Sequence, residues 1–240
     1  MARKLLLWRH GRTAWNLENR FQGHTDIPLD EIGVAQAARA ASLLASFTPH
    51  TIICSDLGRA QATAAPLLAL TGLTAAIEPG IRETHGGQWE GRTGADIRST
   101  DGENFARWVN SEDVVAGGTG ERRSEVAARA VATIEKALQS VPDDETLIAV
   151  THGGTARCVI ATLLDLPPDA WGAIGGLANC SWSVLEEIDR QDGSRGWRLV
   201  EHNAGTLPEP VLGEESGPSH SQPHSQPHSQ PSPGVTGSGK

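Results

Sequence analysis

Unbroken apolar runs and helical patterns alternate along most of the chain. Leu5–Trp8 reads as a strand, and Glu31–Ser46 as a helix with alanine and leucine on recurring faces. Thr51–Cys54 is a short β-rich run, followed by a helical pattern from about Arg59 to Leu70 that ends near Gly72. Ala75–Glu78 fits a third strand, and the Gly-rich stretch Arg82–Gly94 fits neither period. Two short helical pieces and a long helix from about Glu121 to Val141 come next, the last stopping before Pro142. Thr146–Val150 is the plainest strand of all, with Thr155–Leu166 the helix behind it. Ser181–Glu187 and Trp197–Glu201 alternate polar and apolar residues around the turn Asp192-Gly193-Ser194, which suits antiparallel or edge positions. The sum is an α/β fold: three layers, with a mostly parallel open sheet and helices on both faces.

After Pro208 the pattern stops. Residues 1–212 are expected to form the α/β domain. Residues 213–240 form a low-complexity tail with three copies of His-Ser-Gln-Pro between His220 and Pro231. Such a segment cannot bury enough apolar surface to offset its ordering entropy, so it reads as disordered. Its prolines also prevent a helix that would bring His220, His224 and His228 to one face, and no carboxylate or thiol completes a metal site.

A formal net charge of −9 argues against nucleic acid as a partner. Any anion must then be held by a local pocket of cations, which makes clustered arginines informative. No apolar run is long enough to span a bilayer, and the four-residue run after MARK is too short for a secretory signal. Cys54, Cys158 and Cys180 have no metal-type spacing and no secretory context, so a disulfide framework is not expected. A cytoplasmic protein without membrane partner, either monomer or homodimer, is the resulting expectation.

Chemistry concentrates at two strand ends. Leu5–Trp8 runs into Arg9-His10-Gly11, and Leu147–Thr151 into His152-Gly153-Gly154. In open α/β sheets ligands collect at the carboxyl edge of the strands. Arg59 follows the second strand through Ser55-Asp56-Leu57-Gly58 and falls on that same edge. Arginines offer forked, charge-assisted hydrogen bonds to phosphate oxygens, and a neutral imidazole can attack phosphorus. His10, beside a glycine, suits the nucleophile's place, and the helix after His152 offers backbone amides to an anion. The reading is a phosphate site.

The segments LLLWRHGRTAWN, SDLGRAQATA, RETHGGQWEG and AVTHGG resemble, in that order, the motifs of the histidine phosphatase superfamily, the group that includes cofactor-dependent phosphoglycerate mutases. The resemblance runs from about Lys4 to Leu212. It implies His10 as phosphorylated nucleophile, Arg9, Arg59 and His152 as the phosphate pocket, and Glu83 as general acid and base. It also matches Asn16 to a phosphate-side position and implies a small phosphomonoester as substrate, with neither cofactor nor metal. Gln22, Gly23 and Gly153 are expected to contact that substrate, as is His85, which like His24 lies in a rim loop and fits plain solvent exposure equally well. Arg12 departs from the glutamate or glutamine common in relatives and is expected at the pocket mouth.

Taken singly these residues have plainer readings. Glu83 could be an ion-pair partner of Arg82, His152 a structural histidine, and Arg59 a solvated helix residue. Their joint occurrence in family order outweighs those readings.

The chain lacks the long insertion that resembles a mutase lid, and Phe21-Gln22-Gly23-His24 resembles the phosphatase branch. A phosphatase is therefore expected ahead of a mutase or a non-catalytic relative. RETHGGQWEG, Asn179–Trp182 and Trp197–Leu199 resemble actinobacterial glucosyl-3-phosphoglycerate phosphatases, with Thr84–Arg92 and Asp101–Glu121 expected to wall the substrate site.

Overall fold

The computed structural model describes residues 2–205; the proposed tail and the last residues of the proposed domain lie outside them. The elements are β1 (Lys4–Arg9), α1 (Ala14–Leu17), α2 (Glu31–Leu44), β2 (Thr51–Cys54), α3 (Gly58–Thr71), β3 (Ala75–Ile77), α4 (Gly94–Val109), α5 (Arg123–Leu138), β4 (Thr146–Thr151), α6 (Gly153–Leu163), β5 (Trp182–Asp189) and β6 (Arg195–Ala204). The sheet order is β3-β2-β4-β1-β5-β6. The first four strands of that order pair parallel, while β5 joins β1 and β6 joins β5 antiparallel.

The apolar runs are continuous because both sheet faces are covered. Leu5, Leu7, Ile53, Leu147 and Ala149 point to one side and meet Ala130, Ile134, Val159 and Ile160 of α5 and α6. Leu6, Trp8, Ile52, Cys54, Ile148 and Val150 point to the other and meet Ala37, Ala41, Leu44, Ala60 and Leu67 of α2 and α3. Successive strand residues thus serve opposite layers. Each fully buried Leu or Ile contributes about 1.5–3 kcal/mol relative to exposure. The alternating β5 and β6 are antiparallel, as their pattern indicates.

In place of the two short helical pieces the fold has α4, sixteen residues long and bent where Asp101 leaves helical geometry (φ −145°, ψ 42°), and a single 3-10 turn at Ala116–Gly118. Trp89, Ile97, Phe105, Trp108, Val114 and Ala116 form a small core of their own, with Phe21 packed on it. Phe21 meets the Trp89 and Trp108 rings at 5.9 and 6.2 Å, which anchors the loop carrying Gln22 and Gly23. Among the described residues no helix is long and apolar enough to cross a membrane.

Candidate active site

Register brings the strand ends into one row. Arg9 of β1 stands beside Thr151 of β4, and Cys54 of β2 beside Val150. Sheet order makes β1 and β4 neighbours although more than a hundred residues separate them in the chain, so His10 and His152 emerge side by side. Their rings lie 5.2 Å apart.

His10 is buried, 2% exposed. Its Nδ1 lies 2.8 Å from the Gly11 carbonyl oxygen. A carbonyl only accepts, so Nδ1 carries the proton and Nε2 keeps its lone pair. Burial holds the ring well below the ordinary imidazole value, reinforced by the charges of Arg59 and Arg9. His152 is lowered for the same first reason, then by Arg59, His10 and Arg9. Its Nε2 lies 2.9 Å from the Ser55 hydroxyl. With Ser55 donating, the ring proton sits on Nδ1.

Arg59 is fully buried and donates to the carbonyls of Thr25 and Gly23 at 2.9 and 2.8 Å. Burial brings its guanidinium down to about 10, against the opposing pull of Glu83 and Asp26, so it stays charged at neutral pH. Arg9 donates to the Leu177 carbonyl. Arg9 Nε, Arg59 Nε, His152 Nδ1 and Gln22 Oε1 are buried with no hydrogen-bond partner among the described residues. Native interiors leave few such atoms, and three of these four are N–H groups suited to an anion.

Asn16 is oriented by its surroundings. Its Oδ1 accepts from the Thr13 backbone and hydroxyl and from Asn179 Nδ2, each at 3.1 Å, which turns the amide NH₂ the other way.

Glu83 is 8% exposed. Arg82 pairs instead with Asp56, forking onto both carboxylate oxygens. Glu83 reaches the start of α6: Oε1 accepts the N–H of Thr84 and Thr155 at 2.8 and 3.1 Å, and Oε2 that of Gly154 at 3.1 Å. The amides expected to serve a bound anion therefore hold the protein's own carboxylate. Gly153, the first residue of α6, is buried beside them.

His85 stands at the rim with its ring 5.0 Å from that of His24, whose Nε2 lies 2.8 Å from the Glu83 carbonyl oxygen. Arg12, expected at the mouth, is tied to Asp30 by its Nε at 2.8 Å.

Several partners have no signature in the sequence. Glu90 accepts the N–H of His24, Thr25 and Gly86 at 3.0, 3.0 and 2.9 Å, and so fixes the loop whose carbonyls hold Arg59. Burial pushes the Glu90 carboxyl up, but these bonds and the Thr25 hydroxyl hold it below its usual value. Ser55, Asn179 and Arg129 are likewise visible only through tertiary contacts. Glu90, Ser55 and Asn179 do fall inside the stretches RETHGGQWEG, SDLGRAQATA and Asn179–Trp182, without a role being legible there. Cys54 and Cys180 offer no competing nucleophile: burial pushes each thiol up to about 12.

The two buried imidazoles link stability to pH. In the fold each stays neutral below 6.5, whereas in the unfolded chain each takes up a proton there. The unfolded state binds more protons, so stability falls as pH drops below 6.5, by up to about 1.4 kcal/mol per unit for each ring. Thermal unfolding from pH 8 to 5 should show Tm level above 7 and falling below 6.5, with a shallower fall in His10→Ala. An identical slope in that variant would mean that His10 is not held neutral.

A sheet whose carboxyl edge sets two buried imidazoles among buried guanidinium groups defines a phosphoryl-handling α/β enzyme. A family model described as histidine phosphatase superfamily (branch 1) matches residues 5–204. The chain belongs to that superfamily. A curated relative, glucosyl-3-phosphoglycerate phosphatase of Mycobacterium tuberculosis (strain CDC 1551 / Oshkosh), is 40% identical over 192 residues, covering 77% of this chain and 85% of its own. The Yersinia pestis (strain Pestoides F) protein described as "Probable phosphoglycerate mutase GpmB" is 33% identical over 216 residues, covering 88% and 98%. A solved structure of mycobacterial glucosyl-3-phosphoglycerate phosphatase complexed with VO3 has a TM-score of 0.79 at 38% identity, covering 85% of this chain and all of that one (100%).

Proposed function

We propose that this histidine phosphatase hydrolyses glucosyl-3-phosphoglycerate, or a small polar phosphomonoester of the same class, through a phosphohistidine on His10. The observation that carries the reading is His10, buried with Arg9, Arg59 and His152 and tied through Nδ1 to the Gly11 carbonyl so that Nε2 keeps its lone pair. The relatives carrying that substrate in their names support the choice of ester.

In this reading Nε2 attacks phosphorus in line. The bond to the ester oxygen breaks as that oxygen takes a proton from Glu83. Oε1 of Glu83 accepts two backbone N–H groups and Oε2 one, so Oε2 keeps room for the transferable proton. Water then attacks the phosphohistidine and gives its proton back to Glu83. The P–N bond breaks, phosphate leaves, and Nε2 regains its lone pair. Charge on the equatorial oxygens is met by the Nε–H groups of Arg9 and Arg59, His152 Nδ1–H and the Asn16 amide, fixed before substrate arrives. A cytoplasmic setting belongs to the same reading, since the buried cysteines suit a reducing compartment.

The test is incubation with glucosyl-3-phosphoglycerate and, separately, 3-phosphoglycerate, following free phosphate and 2-phosphoglycerate. Phosphate release at least about tenfold more efficient on the glucosylated ester is expected, since contacts that exist only with the sugar are worth at least 1.4 kcal/mol. Equal turnover of the two overturns the substrate. Formation of 2-phosphoglycerate without net phosphate loss makes the chain a mutase, the reading the Yersinia relatives favour.

A further inference from the structure

The segment Gly80–His85, which carries Glu83, runs between strands and helices and has no ladder of its own for its carbonyls. Side chains from three directions take them. Thr151 Oγ1 donates to Ile81 O at 2.7 Å, Thr155 Oγ1 to Arg82 O at 2.6 Å, and His24 Nε2 lies 2.8 Å from Glu83 O. One side chain does as much as these three together. Arg129 of α5 donates from Nη1 to Gly80 O and Arg82 O, both at 2.8 Å, and from Nη2 to Glu83 O at 2.8 Å. Its remaining two N–H groups go to Glu121, Nε to Oε1 at 2.8 Å and Nη2 to Oε2 at 2.9 Å. Glu121 in turn accepts the His85 N–H at 2.8 Å and returns its own N–H to His85 O at 2.9 Å.

All five guanidinium donors are thus spent on one bracket. It grips the backbone at Gly80, Arg82 and Glu83 directly, and at His85 through Glu121. The Glu83 side chain leaves this bracket for the start of α6, where Gly154 and Thr155 fix its oxygens. Its carboxyl is therefore held at the tip by the α6 amides and at the base chiefly by Arg129, with Thr155 and His24 adding one bond each. A planar fork with five fixed donors is required at the base, and a lysine with three rotatable ones cannot reproduce it.

We infer that Arg129, braced by Glu121, is a positioning residue that sets Glu83 against the leaving oxygen. The inference rests on the reading of Glu83 as general acid. A displacement near 1 Å of such a group costs on the order of 100-fold, because proton transfer needs hydrogen-bond contact with the departing oxygen. An ester whose leaving group departs as a stable anion does not need that proton. With all five of its donors on Glu121 and on the carbonyls of Gly80, Arg82 and Glu83, Arg129 has none left for Arg9, His10, Arg59 or His152.

The experiment compares kcat/KM for 3-phosphoglycerate, an alkyl ester, with that for p-nitrophenyl phosphate, in wild type, Arg129→Lys, Glu121→Gln and Glu83→Gln. Expected for Arg129→Lys is a loss of about 10–100-fold on the alkyl ester and under about 3-fold on the activated one, with vanadate inhibition unchanged within about 3-fold. Glu121→Gln should shift the ratio the same way by less, and it serves as the deciding variant if Arg129→Lys does not fold. Equal losses on both esters, or no loss on either, overturn the inference and leave Arg129 a structural residue. If Glu83→Gln discriminates the esters and the bracket variants do not, this inference alone falls. If Glu83→Gln does not discriminate, the acid role falls first and takes the inference with it.

Discussion

Replacing His10 by alanine should lower kcat by about 10⁴-fold or more while the protein stays folded, because a nucleophile acting as part of a unit has no substitute. The structure explains why both halves hold. The bonds that fix this residue in the fold are mainly backbone ones: His10 N donates to Thr151 O at 3.0 Å, and His10 O accepts from Cys180 N at 3.1 Å. Alanine keeps them. The side chain adds the Nδ1–Gly11 bond and a modest cavity, together about 1–2 kcal/mol. Tm should therefore shift by only a few degrees. Phosphate should still raise Tm in the variant, since Arg9, Arg59 and His152 remain to bind it.

Rapid quench into alkaline detergent with labelled substrate should trap label on the wild-type protein in an alkali-stable, acid-labile form, and none on His10→Ala. The Nδ1–Gly11 bond adds a finer expectation: the phosphoryl group is carried on Nε2, which NMR couplings distinguish from Nδ1 attachment. Turnover retained in the variant, or label still trapped on it, would place the nucleophile elsewhere.

How much of this was legible in the sequence follows from the kind of signal each feature leaves. β1 and β4 are continuous apolar runs because each is covered on both faces. Strand ends then follow directly, and with them Arg9, His10 and His152. α3 declared its end through Gly72, which sits at φ +70° where a side chain would be strained. The four-residue α1 is too short for any period. A Thr-x-x-Asn cap at Thr13 and Asn16 was the one available sign of it. At the bend of α4 Asp101 accepts a bond from outside the helix, Trp89 Nε1 to Asp101 Oδ2 at 2.9 Å, which no local period encodes.

The supports of the site were illegible for the same reason. Glu90, Asn179 and Arg129 act on backbone groups or amides 40 to 170 residues away in several cases, and no local pattern encodes such a partner. The start of α6 shows the limit most clearly. Sequence reasoning sees amides ready for an anion there. The fold brings Glu83 across a separation of 71 residues to take them.

Replacing Glu83 by glutamine should divide substrates by leaving group. For an alkyl ester such as 3-phosphoglycerate or its glucosylated form, kcat/KM should fall by about 10²–10⁴-fold, the usual contribution of a general acid. For p-nitrophenyl phosphate it should fall by less than about threefold, because that leaving group departs as an anion without help. The comparison must be made on kcat/KM, which ends at departure of the leaving group. Hydrolysis of the phosphohistidine is common to all substrates and also calls on Glu83, now as base, so kcat should fall for both esters. The activated ester should then show a burst of nitrophenol equal to the enzyme concentration, followed by slow turnover as phosphoenzyme accumulates.

Glutamine is nearly isosteric, but its amide can offer only one oxygen to the three backbone N–H groups that now meet two. A loss of about 1–3 kcal/mol in stability accompanies the change, from the donor left facing an NH₂. That loss applies equally to both substrates and cannot by itself produce a difference between them. A fall of equal size in kcat/KM for both esters would assign Glu83 to holding α6 and the 80–85 segment together, and the proton would have to come from elsewhere.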